Sequence, residues 1–262
     1  MAFTLGPHAQ SAGYRLATFD QIGSTNSEAM ARARAGERGP MWFVTTEQTA
    51  GRGRRHRPWI APRGNLASSV LETIEVAPAV AATLGFAAGL ALEAALRAVA
   101  GPASVGFSLK WPNDVLAGQS KLTGILLEAE VIPGKGLAVA VGMGTNVVAA
   151  PEGTPTPATS LKALGLETSA EQLFTALSDS WAECRGIWDE GKGFGEIRRR
   201  WLALAAGLGQ PVAVHTGNTT VSGIFDTIDD TGCMIVRTST GDRVPISAGD
   251  VHFGAAASAG AA

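Results

Sequence analysis

Gln48 to Trp59 reads QTAGRGRRHRPW, and a second compact cluster, KWPND, stands at Lys110 to Asp114. No acidic residue occurs from Gln48 to Arg63. Gly51 and Gly53 let the backbone turn tightly and present its N–H groups, while Arg52, Arg54, Arg55 and Arg57 supply planar, fork-shaped donors that match phosphate and carboxylate. Trp59 adds an aromatic cover. Together with the second cluster, the segment reads as a phosphate-handling loop in an α/β protein rather than as a merely solvated basic loop.

Working outward, Met41 to Thr46 reads as a strand feeding this loop and Asn65 to Glu72 as a second strand leaving it. Ser24 to Glu28 looks like a helix start, with Thr25 and Glu28 in capping-box spacing, and the helix is expected to run to about Ala35. Its first amides are free to meet an anion or a polar ligand. Ala82 to Ala100 predicts a long alanine-rich helix, in which Gly85 and Gly89 cost helix stability and imply close packing. Val105 to Trp111 is strand-like until Pro112 removes a donor. The chain then turns through Asn113 to Ser120 and returns as Leu122 to Val131, which brings Lys110 and Lys121 toward one site. Leu137 to Val147 is a further apolar strand that ends in glycines and Asn146. Pro151 to Pro157 reads as a surface link, and Ser169 to Leu208 as helical with a break at Gly191 to Gly195.

A boundary near Gly207 to Pro211 predicts a large α/β domain over residues 1–208. Short strands divided by Gly-Asn and Thr-Gly turns over residues 209–254 suggest a small barrel closed on itself, with no long exposed edge. Residues 255–262, low in complexity, are expected to fray.

Composition narrows the function classes. A chain of 262 residues can bury a large core, and its formal charge of -2 argues against the broad cationic face of a DNA-binding domain. Cys184 and Cys233 lack metal-ligand spacing and are too few for a disulfide scaffold, so they are expected as buried thiols in a reducing compartment. No apolar run is read as membrane-spanning, and no signal-like core opens the chain, so the cytoplasm is the expected location.

With these residues in view, the chain resembles the biotin protein ligases. The resemblance rests on STN at Ser24 to Asn26, Q-x-x-GRGRR at Gln48 to Arg55, Arg57, Trp59, Asn65-Leu66, KWPND, K-x-x-GIL-x-E at Lys121 to Glu128 and G-x-G-x-N at Gly142 to Asn146. It implies a core related to class II aminoacyl-tRNA synthetases, with a central mixed sheet and an SH3-like C-terminal β-barrel. It implies ATP as co-substrate, with Mg²⁺ carried by ATP and no protein ligand assigned to it. Biotin is activated to biotinyl-5'-AMP, then passed to a lysine of a biotin carboxyl carrier protein or domain.

By the same resemblance, Lys121, Arg54 and Asp114 are the catalytic candidates. Ser24, Thr25, Asn26, Gln48, Gly51, Arg52 and Lys121 are expected to hold biotin. Arg52, Arg54, Arg55, Trp59, Lys110, Asn113 and Asn146 are expected to hold ATP and the adenylate. His56 departs from the family pattern, which more often has glycine there. The arginines are expected to repel one another and leave the loop mobile until an anionic ligand pairs them. Homodimerisation through the central sheet stays open, and no operator-DNA binding is expected, since no DNA-binding pattern precedes Ser24. The alternatives are a lipoate or octanoate ligase of the same broad fold, a dinucleotide-binding oxidoreductase, which Pro58 disfavours by blocking the expected helix, and an RNA-binding module.

Overall fold

The computed structural model describes residues 2–101, 106–154, 156–217 and 219–253. A short helix α1 (Pro7–Ser11) and strand β1 (Arg15–Phe19), neither anticipated from sequence, precede α2 (Thr25–Arg34). Ser24 caps α2 by accepting from the Ser27 amide at 3.3 Å, so the cap lies one residue before the expected Thr25 box. Strands β2 (Met41–Thr45) and β3 (Leu66–Ile74) flank the arginine loop as predicted. After α3 (Pro78–Ala81) and α4 (Leu84–Ala100) come β4 (Phe107–Lys110), β5 (Asp114–Ala117), β6 (Ser120–Ile132) and β7 (Gly136–Thr145). Val105, placed in β4 by sequence, lies outside the described residues. Helices α5 (Ala170–Trp188) and α6 (Phe194–Ala203) complete this part, with Ser169 and Gln172 forming a capping box on α5.

The seven strands form one mixed sheet in the order β1-β2-β3-β7-β6-β5-β4, with β1 and β2 parallel and every other pair antiparallel. The expected turn over Asn113 to Ser120 is thus two tight reversals with β5 between them. Lys110 pairs in register with Asp114 across the first reversal, and Leu116 with Lys121 across the second. Val115 to Ala117 is buried, which explains why this short apolar run becomes a strand instead of a loop.

Strand alternation assigns the two faces. On β7, Leu137, Val139, Val141 and Met143 join the large core beneath α4 and α5, while Ala138 and Ala140 pack with Ala29, Met30 and Ala33 of α2. On the α2 face the next positions are Gly142 and Gly144, so the side chains shrink to nothing as the strand runs out from under the helix. That gradient opens a cavity. In the core, Trp42 meets Phe174 and Trp181 edge-on, and fully burying such side chains contributes roughly 1.5–3 kcal/mol each. Gly89 allows the close approach foreseen for it, because a Cβ there would lie 3.3 Å from Trp201 Nε1. The run Pro78–Ala100 is long and apolar enough for a membrane span, contrary to the sequence reading, but it is largely buried, and α4 packs against α5.

The C-terminal strands are β8 (Pro211–Thr216), β9 (Thr219–Ile228), β10 (Met234–Arg237), β11 (Arg243–Ile246) and β12 (Asp250–Phe253). They form an open antiparallel sheet in the order β11-β10-β9-β8-β12, and the predicted closed SH3-like barrel is not observed. No ladder joins edge strands β11 and β12 among the described residues. Pro245 on β11 lacks the N–H that a further ladder needs, a residue suited to an edge. Residues at the start of β12 instead engage the arginine loop. The expected frayed tail, residues 255–262, lies outside the described residues.

Candidate active site

The cavity at the end of α2 has a volume of about 510 Å³ and is bounded by the arginine loop, β6, β7, the KWPND reversal and the start of β12. Gly124 of β6 and Gly144 of β7 are register partners and form its floor. The Trp59 indole lies on them: a Cβ on Gly124 would stand 2.9 Å from the ring and one on Gly144 2.7 Å from its Nε1. No other residue type fits beneath Trp59 without displacing it. Leu126 stands on this face, whereas Ile125 belongs to the core on the other side.

One end of the cavity is polar and uncharged. Gln48 Oε1 accepts from the Thr25 amide at 2.9 Å and from its hydroxyl at 3.3 Å. Ser69 Oγ lies 2.7 Å from Thr25 Oγ1 and donates to Asn26 Oδ1 at 2.6 Å. Ser24, Thr25 and Asn26 are buried, and a Cβ on Gly142 would strike the Asn26 side chain. Ser69 was missed by motif reading. Its signal was the alternation that sets it between Ala67 and Leu71 on the α2 face of β3.

The other end is cationic. Arg54 donates to Asn113 Oδ1 at 3.1 Å and to the Gly249 carbonyl at 3.3 Å, two neutral acceptors. Burial pushes its guanidinium below the ordinary arginine range, with the charge of Asp250 opposing. Burial likewise pushes the Lys110 ammonium down, opposed by Asp114, and Lys110 Nζ lies 5.7 Å from the centre of the Phe253 ring. Among the described residues, neither cation has a carboxylate within ion-pair distance. Lys121 Nζ pairs with Asp114 at 2.6 Å and lies 5.4 Å from the Trp59 ring centre. Asn113 is held by Ile125 on both its amide side chain and its carbonyl. Asn146 donates to the Thr159 carbonyl, while its Oδ1 and Trp59 Nε1 are buried with no hydrogen-bond partner among the described residues. Such orphaned groups at a cavity wall are what a polar ligand satisfies.

Arg52, Arg55 and Arg57 of the loop have acidic partners that the sequence reading did not anticipate. Arg55 and Arg57 both reach Asp250 Oδ2, at 2.8 and 2.9 Å, and Arg52 reaches Glu128. Burial raises the Asp250 carboxyl, but the hydrogen bond and charge of Arg57 and the charges of Arg55 and Arg54 outweigh it and hold the group below the usual range. No local signal marked Asp250, which is almost two hundred residues along the chain from its partners and meets them only in the folded molecule. The loop closes with the Trp59 amide on the Gly51 carbonyl at 2.9 Å. Gly51 is needed for close approach, since a Cβ would sit 2.6 Å from the Trp59 carbonyl, whereas Gly53 is uncrowded. Arg55 and His56 have φ of 55° and 57°, so His56 occupies the left-handed region that glycine fills at least cost.

Both acidic side chains of the cavity, Asp114 and Asp250, are turned onto cations, and no group of three or more metal-ligating side chains occurs among the described residues.

Residues 21–146 match the biotin/lipoate A/B protein ligase family, and residues 207–254 match the biotin protein ligase C terminal domain. The chain is 41% identical to a biotin–[acetyl-CoA-carboxylase] ligase of Paracoccus denitrificans, over 88% of this chain and 97% of that protein. It is 37% identical to the enzyme of the same name from Mycobacterium tuberculosis, over 88% and 86%. A solved biotin protein ligase from Aquifex aeolicus, in complex with biotin and ATP, superposes with a TM-score of 0.75 at 24% identity, covering 92% of this chain and 99% of that one. The matched segments contain the floor glycines, the arginine loop, the KWPND reversal and Asp250, and the chain belongs to the biotin protein ligases of the biotin/lipoate A/B protein ligase family.

Proposed function

We infer that this protein activates biotin with ATP and passes the activated biotin to a carrier-protein lysine. In the first step a biotin carboxylate oxygen attacks the α-phosphorus, the bond to the β-phosphate breaks, and biotinyl-5'-AMP and pyrophosphate form. In the second, the uncharged lysine amine attacks the acyl carbon, the bond from that carbon to the bridging oxygen breaks, AMP leaves with the bridging oxygen, and the nitrogen loses a proton to solvent to give the amide. The observation that carries this reading is the pair of half-buried cations, Arg54 and Lys110, that face the cavity with no carboxylate partner among the described residues, while its opposite end is neutral. An anionic phosphate chain at one end and a neutral ureido ring at the other complement that division.

In this proposal Ser24, Thr25, Asn26 and Gln48 meet the ureido group, and Gly51 and Arg52 close over it. Trp59, seated on Gly124 and Gly144, covers the adenine, and the valeryl chain runs beside the indole from the ureido end toward Lys121. Lys121 neutralises charge developing between carboxylate and α-phosphate, with Asp114 holding its ammonium in place and orienting the incoming lysine. Arg54, Lys110 and Arg55 meet the phosphates, and Asn113 and Asn146 the adenine side. Mg²⁺ travels with ATP. The division into a catalytic part over 1–208 and a C-terminal part over 209–254 belongs to the same proposal, as does a cytoplasmic location, which suits an ATP-consuming enzyme with two free thiols.

ATP–pyrophosphate exchange measured with biotin, with octanoate and with no acid tests the reading. Exchange with biotin alone is expected. Exchange driven by octanoate would move the chain to the lipoate side of its family, and exchange with neither acid would remove adenylation altogether.

A further inference from the structure

Glu128, the last residue of the K-x-x-GIL-x-E stretch, has no place among the groups that meet biotin or ATP, yet it joins the two ends of the loop's support. Its Oε2 accepts from Asn26 Nδ2 at 2.8 Å, and its Oε1 receives Arg52 Nη2 at 3.2 Å. The same Arg52 nitrogen donates to Ser27 Oγ at 2.9 Å. One carboxylate on β6 thus links the first turn of α2 to the arginine loop.

The linkage also fixes polarity. A carboxylate and a backbone carbonyl accept only, and Asn26 Nδ2 donates to both Glu128 and the Leu126 carbonyl, the latter at 3.1 Å. Both amide hydrogens are thereby used on β6. Asn26 Oδ1 is left to face Ser69, whose hydroxyl proton it takes at 2.6 Å. The orientation of the Asn26 amide, and with it the direction of the Ser69 hydroxyl, is therefore set from Glu128.

We propose that Glu128 is a positioning residue for adenylate retention: it holds Arg52 over the cavity and orders the hydrogen-bond polarity of the biotin end. The proposal rests on the ligase reading above. Its signature is that Glu128 acts through Arg52, so that its loss and the loss of Arg52 are not independent. Glu128→Gln is the informative substitution. Glutamine keeps an oxygen for Asn26 but presents an N–H, or nothing, to the guanidinium.

Release of biotinyl-5'-AMP is followed in single turnovers of the parent, Glu128→Gln, Arg52→Ala and the double variant, with melting temperature recorded for each. Arg52 and Glu128 are 42% and 33% exposed, so the pair is partly screened, and Glu128→Gln is expected to speed release about fivefold. The double variant is expected to release no faster than Arg52→Ala, with melting temperatures alike. Should Glu128→Gln not yield folded protein, Glu128→Asp, which keeps the charge but withdraws it by one methylene, enters the same cycle with the same expected non-additivity. A parent that forms no adenylate with biotin would overturn the ligase reading and this role together. A competent parent in which the glutamine variant releases at the parent rate, or in which the two effects multiply, would overturn the role of Glu128 alone.

Discussion

The floor of the cavity and the loop above it are built by opposite means. The floor belongs to β6 and β7, which pair without a register shift from Thr123 to Ile132, and its shape follows from the absence of side chains at Gly124, Gly142 and Gly144. The loop over residues 51–59 has few backbone bonds of its own and is held by ion pairs from Arg52, Arg55 and Arg57 to two carboxylates on different sheets. Those pairs are partly exposed and individually weak, about 0–1 kcal/mol each. Shape therefore comes from a sheet that is costly to deform, and charge from a loop that phosphate oxygens can re-pair at small cost. Arg54 and Lys110, which have no ion pair among the described residues, both face the cavity between the two regions.

The comparison breaks most severely at Lys121. Lys121→Ala is expected to fold with a melting temperature near that of the parent and to lose about 100-fold or more of biotin-dependent ATP–pyrophosphate exchange, the scale on which preorganised charge acts. A comparable exchange rate in variant and parent would remove its proposed role. Gly144→Val tests the floor. A side chain there meets Trp59, so overpacking of roughly 1–3 kcal/mol or displacement of the indole is expected, with weaker biotin binding by calorimetry. Unchanged binding would mean that the seat of Trp59 on the glycine pair does not shape the ligand site.

Asp250→Asn is the mildest change and sharpens the loop side. Its loss releases Arg55 and Arg57, and the apo loop is expected to exchange amide hydrogens faster with little change in melting temperature. The pH dependence has a definite sign. Because the Asp250 carboxyl lies below its ordinary value in the fold, its pairing is fully present at neutral pH, persists below the ordinary aspartate pKa of about 3.9, and is lost only as pH falls through the lowered value. Loop exchange that already accelerates well above that pH would contradict the clamp.

Much of the site was legible because its chemistry is local. The arginine cluster, the Lys110 to Asp114 stretch and the alternation of Leu137 to Thr145 each carry their meaning within a few residues, and Arg52, Arg54, Arg57, Lys110, Lys121 and Asn146 line one cavity, whereas Gly51 and Arg55 do not. What escaped was non-local or depended on register. Asp250 meets the loop only through the packing of β12, and Ser69 becomes a site residue only when β3 pairs with β7. Strand β5 hides in a segment rich in turn residues, and the closed barrel was inferred from strand spacing and from the family resemblance, neither of which says whether the edge strands of this chain pair. The repulsion expected among the arginines overlooked carboxylates supplied from elsewhere in the chain.

The most direct test of this division is amide hydrogen exchange over residues 49–59 and over β7, measured for the free protein, with biotin, and with biotinyl-5'-AMP. Exchange in the loop is expected to slow with biotin and to slow further with the adenylate, which offers the arginines a phosphate, while the β7 amides keep the same rates in all three states. Equal loop exchange in the free and adenylate-bound protein, or protection that spreads equally into β7, would contradict a rigid floor beneath a ligand-ordered loop.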